Sequence, residues 1–288
     1  MTNNKPPVSG SLYLLRTIPN IQRARGYRLY LANGKRLTDL WLNGGAAILG
    51  HTPANLLHEI KNTASRGLYA PYPHFTKNRF LKALSALFPG RSFRLYAAPP
   101  QELMLSTLSG LTQVNEEKKE RAFINFKLWR PYCDPANPFA VDDTQILIPV
   151  LQGIQTWRNN MPLGLCAAVI KNEPADSDES DIKLPPDDDL PPILTAIAAR
   201  GIYDLLAAPA RGKPNLPKVS GALHKSRWRR MGIYLTLKKE ISNEEWEVLF
   251  HKFLDAGFLL PPFQSQPAIL PGELSDGEEK KLAAALSY

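Results

Sequence analysis

The chain has 288 residues, of which 44% are hydrophobic, and this is enough to bury a substantial core in one large domain or two smaller ones. No run of about eighteen or more hydrophobic residues occurs, and the N-terminal MTNNKPP lacks the hydrophobic stretch of a signal peptide, so we expect a soluble, cytoplasmic protein and exclude a membrane-spanning one. The formal net charge of +8 suggests a nucleic-acid partner, but no DNA- or RNA-binding motif accompanies it, so nucleic acid is not favoured.

A β-hairpin is predicted near the N-terminus. Hydrophobic and polar residues alternate over residues 27–31, and Asn33-Gly34 separates this run from a second one over residues 37–42. An Asn-Gly between alternating runs is the strongest short hairpin signal. The second run enters Asn43-Gly44-Gly45, whose glycines permit a positive φ or a close backbone approach, so we expect a loop there.

Two amphipathic helices are predicted next. Thr52-Pro53 supplies an N-cap and a first-turn proline for a helix that ends at Gly67. Thr76 is the predicted N-cap of the second helix, which ends at Pro89-Gly90. Each helix has a hydrophobic stripe at helical spacing, and we interpret the stripe of the second helix as core rather than as a cofactor-binding element.

The central region is predicted to form a buried sheet. Hydrophobic, partly β-branched runs of strand length occupy residues 93–97, 122–128, 145–150 and 165–170, and a helix is expected to open at Pro100. Strands interleaved with helices indicate an α/β fold.

An acidic, proline-containing segment over residues 173–192 is predicted to be a loop or linker, because it offers little hydrophobic surface to bury. Basic residues concentrate shortly after it, over residues 211–230. Neighbouring blocks of opposite charge are typical of solvated surface. Binding of an acidic partner or nucleic acid through residues 211–230 stays open as an alternative function.

The C-terminal part is predicted to be a compact α+β unit. A helix over residues 193–207 and a strand over residues 231–237 precede two helices that begin with capping boxes. In each box a serine is followed three residues later by a glutamate, namely Ser242 with Glu245 and Ser275 with Glu278.

No cysteine or histidine has the spacing of a metal site. Cys133 and Cys166 stand apart, without a Cys-x-x-Cys motif, so we expect two free, buried or half-buried thiols. His51 is interpreted as a hydrogen-bonded residue at a helix start rather than as a general base.

Two stretches of the sequence resemble class III aminotransferases of the glutamate-1-semialdehyde aminomutase type. The first spans residues 26–90, with LANGKRLTDLWLNGGAAILGHTPANLLHEIK at its centre, and the second spans residues 233–286, with FLDAGFLLPPFQSQPAILPGELSDGEEKKLAAAL. The resemblance implies an α/β fold of the fold type I PLP-transferase kind, with a reduced large domain around a central sheet and a small C-terminal α+β domain.

The resemblance also implies a division of the chain into three parts. Residues 1–90 would form an N-terminal hairpin and helical segment, and residues 91–230 a reduced large-domain-like region that contains the acidic linker 173–192. Residues 231–288 would form the small domain. By the same resemblance, Asn43, Gly44 and Gly45 face a substrate pocket, and a purely structural turn is the alternative. Tyr69, Tyr72 and His74 line that pocket or pack in a dimer interface or core.

The resemblance implies pyridoxal phosphate as cofactor, but the residues that would hold it depart from the family pattern. The family places Ser-Gly-x-Glu-Ala at a helix N-terminus that binds the phosphate, whereas this chain has Ala-Ala-Pro-Pro-Gln-Glu over residues 97–102, and proline donates no N–H. The family's Asp-Glu, which pairs with the pyridine nitrogen, has a counterpart only in Asp178-Glu179, within the acidic linker. Lys213 is a weak candidate for the Schiff-base lysine.

The leading hypothesis is therefore an aminotransferase-like homodimer that retains the scaffold, has reduced or no pyridoxal-phosphate chemistry, and binds a small amino-acid-like ligand or acts in regulation. An active aminotransferase or aminomutase with a rearranged site is the first alternative. Binding through the basic segment 211–230 is the second.

Overall fold

The computed structural model describes residues 12–101, 103, 126–158, 161–172, 184–208 and 214–288. The chain divides into two compact units. Unit 1 comprises residues 1–52, 157–160 and 210–288, and unit 2 comprises residues 53–156 and 161–209.

Strands and helices alternate along the chain. In chain order the strands are β1 Ile21–Arg25, β2 Arg28–Leu31, β3 Arg36–Asp39, β4 Arg91–Tyr96, β5 Phe126–Trp129, β6 Ile146–Pro149, β7 Thr156–Arg158, β8 Met161–Leu163, β9 Cys166–Lys171, β10 Trp228–Met231, β11 Tyr234–Leu237, β12 Phe258–Leu259 and β13 Ala268–Ile269. The α-helices are α1 Ala54–Ser65, α2 Thr76–Leu87, α3 Pro192–Leu206, α4 Pro217–Leu223, α5 Asn243–Asp255 and α6 Asp276–Ala285, and 3-10 turns cover Leu12–Thr17 and Leu42–Gly45.

In unit 1 the predicted N-terminal hairpin is confirmed. Strands β1, β2 and β3 are antiparallel neighbours, and Leu29 lies opposite Leu37. Gly34 closes the turn with a φ of 80°, which only glycine adopts at little cost. The short strand β12 from the C-terminal part pairs in parallel with β3 and completes the sheet in the order β1-β2-β3-β12.

The single strand predicted over residues 231–237 is wrong. Gly232 has a φ of 59° and turns the chain, so that β10 and β11 form an antiparallel hairpin in which Met231 lies opposite Tyr234. Strand β13 pairs with the other edge of β11. The arginines of β10 conceal this strand in the sequence, because only alternate residues, beginning with the buried Trp228, face inward.

Both predicted capping boxes are confirmed, at the starts of α5 and α6. The glutamate of the second box also joins α6 to the N-terminal sheet, because Glu278 accepts from Arg28 at 2.7 and 3.0 Å and from the Thr38 hydroxyl at 3.3 Å. The Arg28 hydrogen bond lowers the pKa of Glu278 to about 2.

Unit 2 contains the predicted central sheet, with strand order β4-β9-β6-β5. Strand β9 is antiparallel to both β4 and β6, whereas β5 and β6 are parallel. Helix α2 packs against α3, and its predicted stripe is buried at Phe80, Leu84, Leu87 and Phe88, whereas Leu81 is half-buried. Most of the helix predicted after Pro100 lies outside the described residues.

Neither predicted threonine caps its helix. Thr52 has a φ of 54°, and α1 begins at Ala54 with Pro53 as the N-cap residue. Thr76 is the first residue of α2, and its buried hydroxyl forms a 2.9 Å hydrogen bond with the Thr195 hydroxyl. Tertiary contacts have therefore replaced the local capping bond. No helix in the described part of the chain is long and hydrophobic enough to cross a membrane.

Candidate functional site

The loop that contains Asn43, Gly44 and Gly45 is organised by one buried carboxylate in unit 1. Asp39 ends strand β3 and is 2% exposed. Its Oδ1 accepts from the backbone N–H groups of Trp41 and Leu42 at 2.8 and 2.9 Å. Its Oδ2 lies 2.8 Å from Nε2 of His51. Because one carboxylate binds both ends of the loop, the strand stops at Asp39, three residues before the end of the predicted run.

Four consecutive residues of this loop have a left-handed backbone. The φ angles are 48° for Leu42, 49° for Asn43, 63° for Gly44 and 105° for Gly45. Leucine in this region costs about 1–2 kcal/mol, whereas glycine adopts it freely. The hydrogen bonds to Asp39 hold the strained Leu42, since its N–H is one of the two that the carboxylate accepts.

The indole of Trp157 covers the loop. Its Nε1 donates to the carbonyl of Asn43 at 2.7 Å. A Cβ on Gly44 would lie 2.2 Å from the indole ring, so glycine is required there for space as well as for φ. Gly44 and Gly45 are buried, and Asn43 is half-buried. The prediction that these three residues face a substrate pocket stays a prediction.

A second polar contact fixes the start of the same loop. Trp41 Nε1 donates to Oε1 of Gln266 at 2.7 Å, and Gln266 is 2% exposed. This bond sets the orientation of the Gln266 amide, because only its oxygen accepts a hydrogen bond. The loop is therefore held on three sides, by Asp39, Gln266 and Trp157.

The segment that follows β4 in unit 2 is the predicted counterpart of the family's phosphate-binding element. Two of its residues, Pro99 and Pro100, have no N–H to donate. The N–H of Ala97 donates to Oδ2 of Asp188 at 2.8 Å. An anion is thus already bound by the chain itself at this position, so a phosphate group would have to displace Asp188 to reach this N–H.

A Schiff-base lysine needs an amine removed from water, so that it is neutral enough to attack a carbonyl. No lysine is buried in the described part of the chain. Lys77 and Lys171 are half-buried, and each forms an ion pair, with Asp187 at 3.4 Å and with Asp143 at 3.2 Å. Lys213 lies outside the described residues, as does Asp178-Glu179.

Among the described residues, the other side chains predicted as candidates do not form a reactive cluster. Tyr69 and Tyr72 are 60% and 59% exposed, so core packing is wrong for both, and a role in a pocket or a dimer interface stays a prediction. Both cysteines are free. Burial raises the pKa of the Cys166 thiol to about 12, which makes it unreactive. No group of His, Cys, Asp and Glu within the described ranges could hold a metal ion.

Several residues that form the Asp39 loop and the contacts at the end of β4 were not predicted as site residues from the sequence. Asp39 carries a local signal, since aspartate often accepts from backbone N–H groups two and three residues later at the end of a strand. Trp157, Gln266 and Asp188 carry none, because each reaches its partner over more than ninety positions.

No protein-family profile matches the sequence. An uncharacterized protein of Treponema pallidum (strain Nichols) is 28% identical over 306 aligned residues, which cover 90% of this chain and 91% of that protein. The glutamate-1-semialdehyde 2,1-aminomutase of Lawsonia intracellularis is 30% identical over 115 residues, which cover 40% of this chain and 26% of the aminomutase.

Solved structures of class III aminotransferases are similar over nearly the whole chain. The ornithine delta-aminotransferase of Plasmodium falciparum has a TM-score of 0.59 and 11% identity, and the match covers 99% of this chain and 94% of that one. A glutamate-1-semialdehyde aminomutase of Pseudomonas aeruginosa PAO1 has a TM-score of 0.59 and 10% identity, with 93% and 86% covered. The chain therefore has the fold of the fold type I pyridoxal-phosphate-dependent transferases.

Proposed function

We propose that this protein is a cytoplasmic pseudoenzyme of the class III aminotransferase type, which keeps the transferase fold as a homodimer and binds a small amino-acid-like ligand or regulates a partner without pyridoxal-phosphate catalysis. One observation carries the proposal. The N–H of Ala97, at the position expected to bind the cofactor phosphate, donates to the carboxylate of Asp188.

Electrostatics supports this reading of the β4 end. A carboxylate and a phosphate are both anions, and they compete for the same N–H donors. Two neighbouring donors are missing as well, because Pro99 and Pro100 replace residues that would carry an N–H. A bound cofactor would supply an electron sink for the substrate's α-carbon. Because Asp187 and Asp188 occupy backbone donors at the end of β4 and no described lysine is buried, the described residues leave the cofactor neither a free phosphate anchor nor a point of attachment.

The loop around Gly44 supports retention of a ligand-binding role. Left-handed backbone at Leu42 and Asn43 is strained, and such strain persists only where surrounding contacts hold it. Here Asp39 and Trp157 supply those contacts. A chain that had kept the fold for stability alone would gain by relaxing this loop, and strained loops cluster at binding sites.

The deciding experiment is the visible absorption spectrum of the purified protein with pyridoxal phosphate, followed by borohydride reduction and peptide mapping. We expect no imine band and no labelled lysine from folded protein. A stable band with a single labelled lysine would overturn the proposal and support the active enzyme instead. If that lysine is Lys213, Lys213→Ala should abolish the band, and Lys218→Ala, which changes an exposed lysine nearby, should leave it intact.

The homodimer is tested separately by sedimentation equilibrium. A mass of twice 32.1 kDa is expected at micromolar concentration. A monomer across that range would remove the dimer from the proposal. It would leave the loss of catalysis untouched.

A basic surface on unit 1 favours a second candidate function, the binding of an acidic partner. Arg227 and Arg229 are exposed on and beside the edge strand β10, and Lys238 is exposed at the end of β11. None of the three forms an ion pair with a carboxylate in the described part of the chain, although Lys238 donates to the Ser226 carbonyl. Arg230 is unsuited to this role, because its guanidinium binds Gly232, Ser220 and Pro214. Partner binding that does not weaken with added salt would exclude this function.

A further inference from the structure

Residues 184–190 run alongside the end of β4 and bind its backbone at three points. Asp188 N–H donates to the carbonyl of Leu95 at 2.9 Å, and the Leu95 N–H donates to Oδ1 of Asp187 at 3.1 Å. The Ala97 N–H donates to Oδ2 of Asp188 at 2.8 Å. Two carboxylates thus bind the last backbone donors at this edge of the sheet.

The same segment is anchored at both sides of the carboxylates. Leu184 packs against the hydrophobic core that includes Tyr96, and the Tyr96 hydroxyl donates to the carbonyl of Pro185 at 2.9 Å. Leu190 is buried. These contacts hold residues 184–190 in place independently of the two aspartates, so the carboxylates are presented to β4 by a fixed backbone.

The groups that contact the Asp187 and Asp188 carboxylates are of the kinds that bind an oxyanion. Two backbone N–H groups, of Leu95 and Ala97, point to the aspartates, and the Lys77 ammonium lies 3.4 Å from Asp187 Oδ2. Backbone donors together with a cation are the usual ligands of a phosphate. Ala97 and Asp188 are exposed, so that an anion from solvent can reach the same donors.

We propose that Asp187 and Asp188 act as an internal anion that occupies a phosphate-binding position at the end of β4 and excludes external phosphate esters from it. The segment 184–190, which we call the strap, is therefore an autoinhibitory element that blocks anion binding at the end of β4. The inference deepens the proposed function by giving the physical means by which the cofactor phosphate is excluded, and it concerns anion binding rather than catalysis.

The test uses the full-length chain and inorganic phosphate as the probe. Asp187→Asn with Asp188→Asn removes both charges but keeps an oxygen acceptor for each N–H, so the strap is expected to stay folded. Asp189→Asn is the matched control, because Asp189 is exposed, lies in the same strap, and makes no hydrogen bond within the described residues. Titrations are followed by the backbone amide chemical shifts of Leu95 and Ala97.

In the doubly substituted protein we expect phosphate to bind at least about tenfold more tightly than in the wild type, because both charged competitors for the N–H groups have become neutral amides. The shifts should centre on Leu95 and Ala97, and Asp189→Asn should match the wild type. Equal affinity in all three proteins, or shifts elsewhere on the chain, would refute the strap. If the double substitution unfolds the protein, Asp188→Asn alone decides by the same criterion.

The outcome is separable from that of the proposed function. A wild-type imine band with pyridoxal phosphate would overturn the loss of catalysis whatever the phosphate titration gives. A phosphate affinity unchanged by the double substitution would refute the strap even if no imine ever forms.

Discussion

Gly44→Ala is expected to destabilise the protein far more than Gly34→Ala, although both glycines have a left-handed backbone. Gly44 has a φ of 63°, and its added Cβ would lie 2.2 Å from the Trp157 ring. Gly34 has a φ of 80° and nothing within 4 Å of the added Cβ. The left-handed backbone costs alanine about 1–2 kcal/mol at either site, and overpacking against a buried ring adds about 1–3 kcal/mol at Gly44 alone.

The assay is urea unfolding of both variants and the wild type, followed by tryptophan fluorescence and by circular dichroism. Gly34→Ala should lower the free energy of unfolding by about 1–2 kcal/mol and Gly44→Ala by about 2–5 kcal/mol. In a Trp157→Leu background, the extra cost of Gly44→Ala should shrink toward that of Gly34→Ala. Equal losses for the two alanine variants in the wild-type background would refute the packing of Trp157 on this loop.

Three further predictions concern buried or paired groups. Asp39→Ala should cost about 3 kcal/mol of unfolding free energy, because it leaves two buried backbone donors unpaired, and unfolding titrations measure this loss. The pKa of Glu278 falls from 4.5 to about 2 in the folded chain, so its contribution is complete above pH 4.5 and is lost as the pH falls toward 2. Glu278→Gln should flatten the pH dependence of stability in that window, and an unchanged slope would contradict the pairing with Arg28. In native protein, iodoacetamide should modify the half-buried Cys133 while the buried Cys166 reacts only as fast as the protein unfolds, which peptide mass mapping distinguishes.

The strongest local signals predicted their elements correctly. Asn33-Gly34 predicted the hairpin, and the serine–glutamate pairs at 242 and 275 predicted two helix starts with their reciprocal bonds. Each of these signals acts within four residues, so it can be recognised without knowledge of the rest of the chain. Thr76 is a local signal that a tertiary contact overrode, because its hydroxyl binds Thr195 rather than its own helix. The single strand predicted over residues 231–237 failed for a local reason, because Gly232 turns the chain.

The residues of the candidate sites also divide into those with a local sequence signal and those without one. Asn43, Gly44 and Gly45 could be selected because glycines after a strand mark a loop, and the prolines at 99 and 100 already indicated missing phosphate donors. The side chains that contact the glycine loop and the end of β4 could not be predicted. Trp157 lies between two predicted strands and Asp188 lies in the predicted linker, and nothing in either segment specifies the backbone group that it contacts.

The sequence by itself determined the hairpin, the two helix starts with capping boxes, the hydrophobic strands of the central sheet and the resemblance that implied a PLP-transferase-type fold, since all of these rest on periodicity, turn chemistry or ordered motifs. Only the tertiary structure decided that an aspartate from the acidic segment binds the end of β4, and that Asp39 binds both sides of the left-handed loop. Contacts of this kind depend on three-dimensional proximity between distant residues, and a carboxylate has the same local sequence signal whether it faces solvent or a backbone N–H.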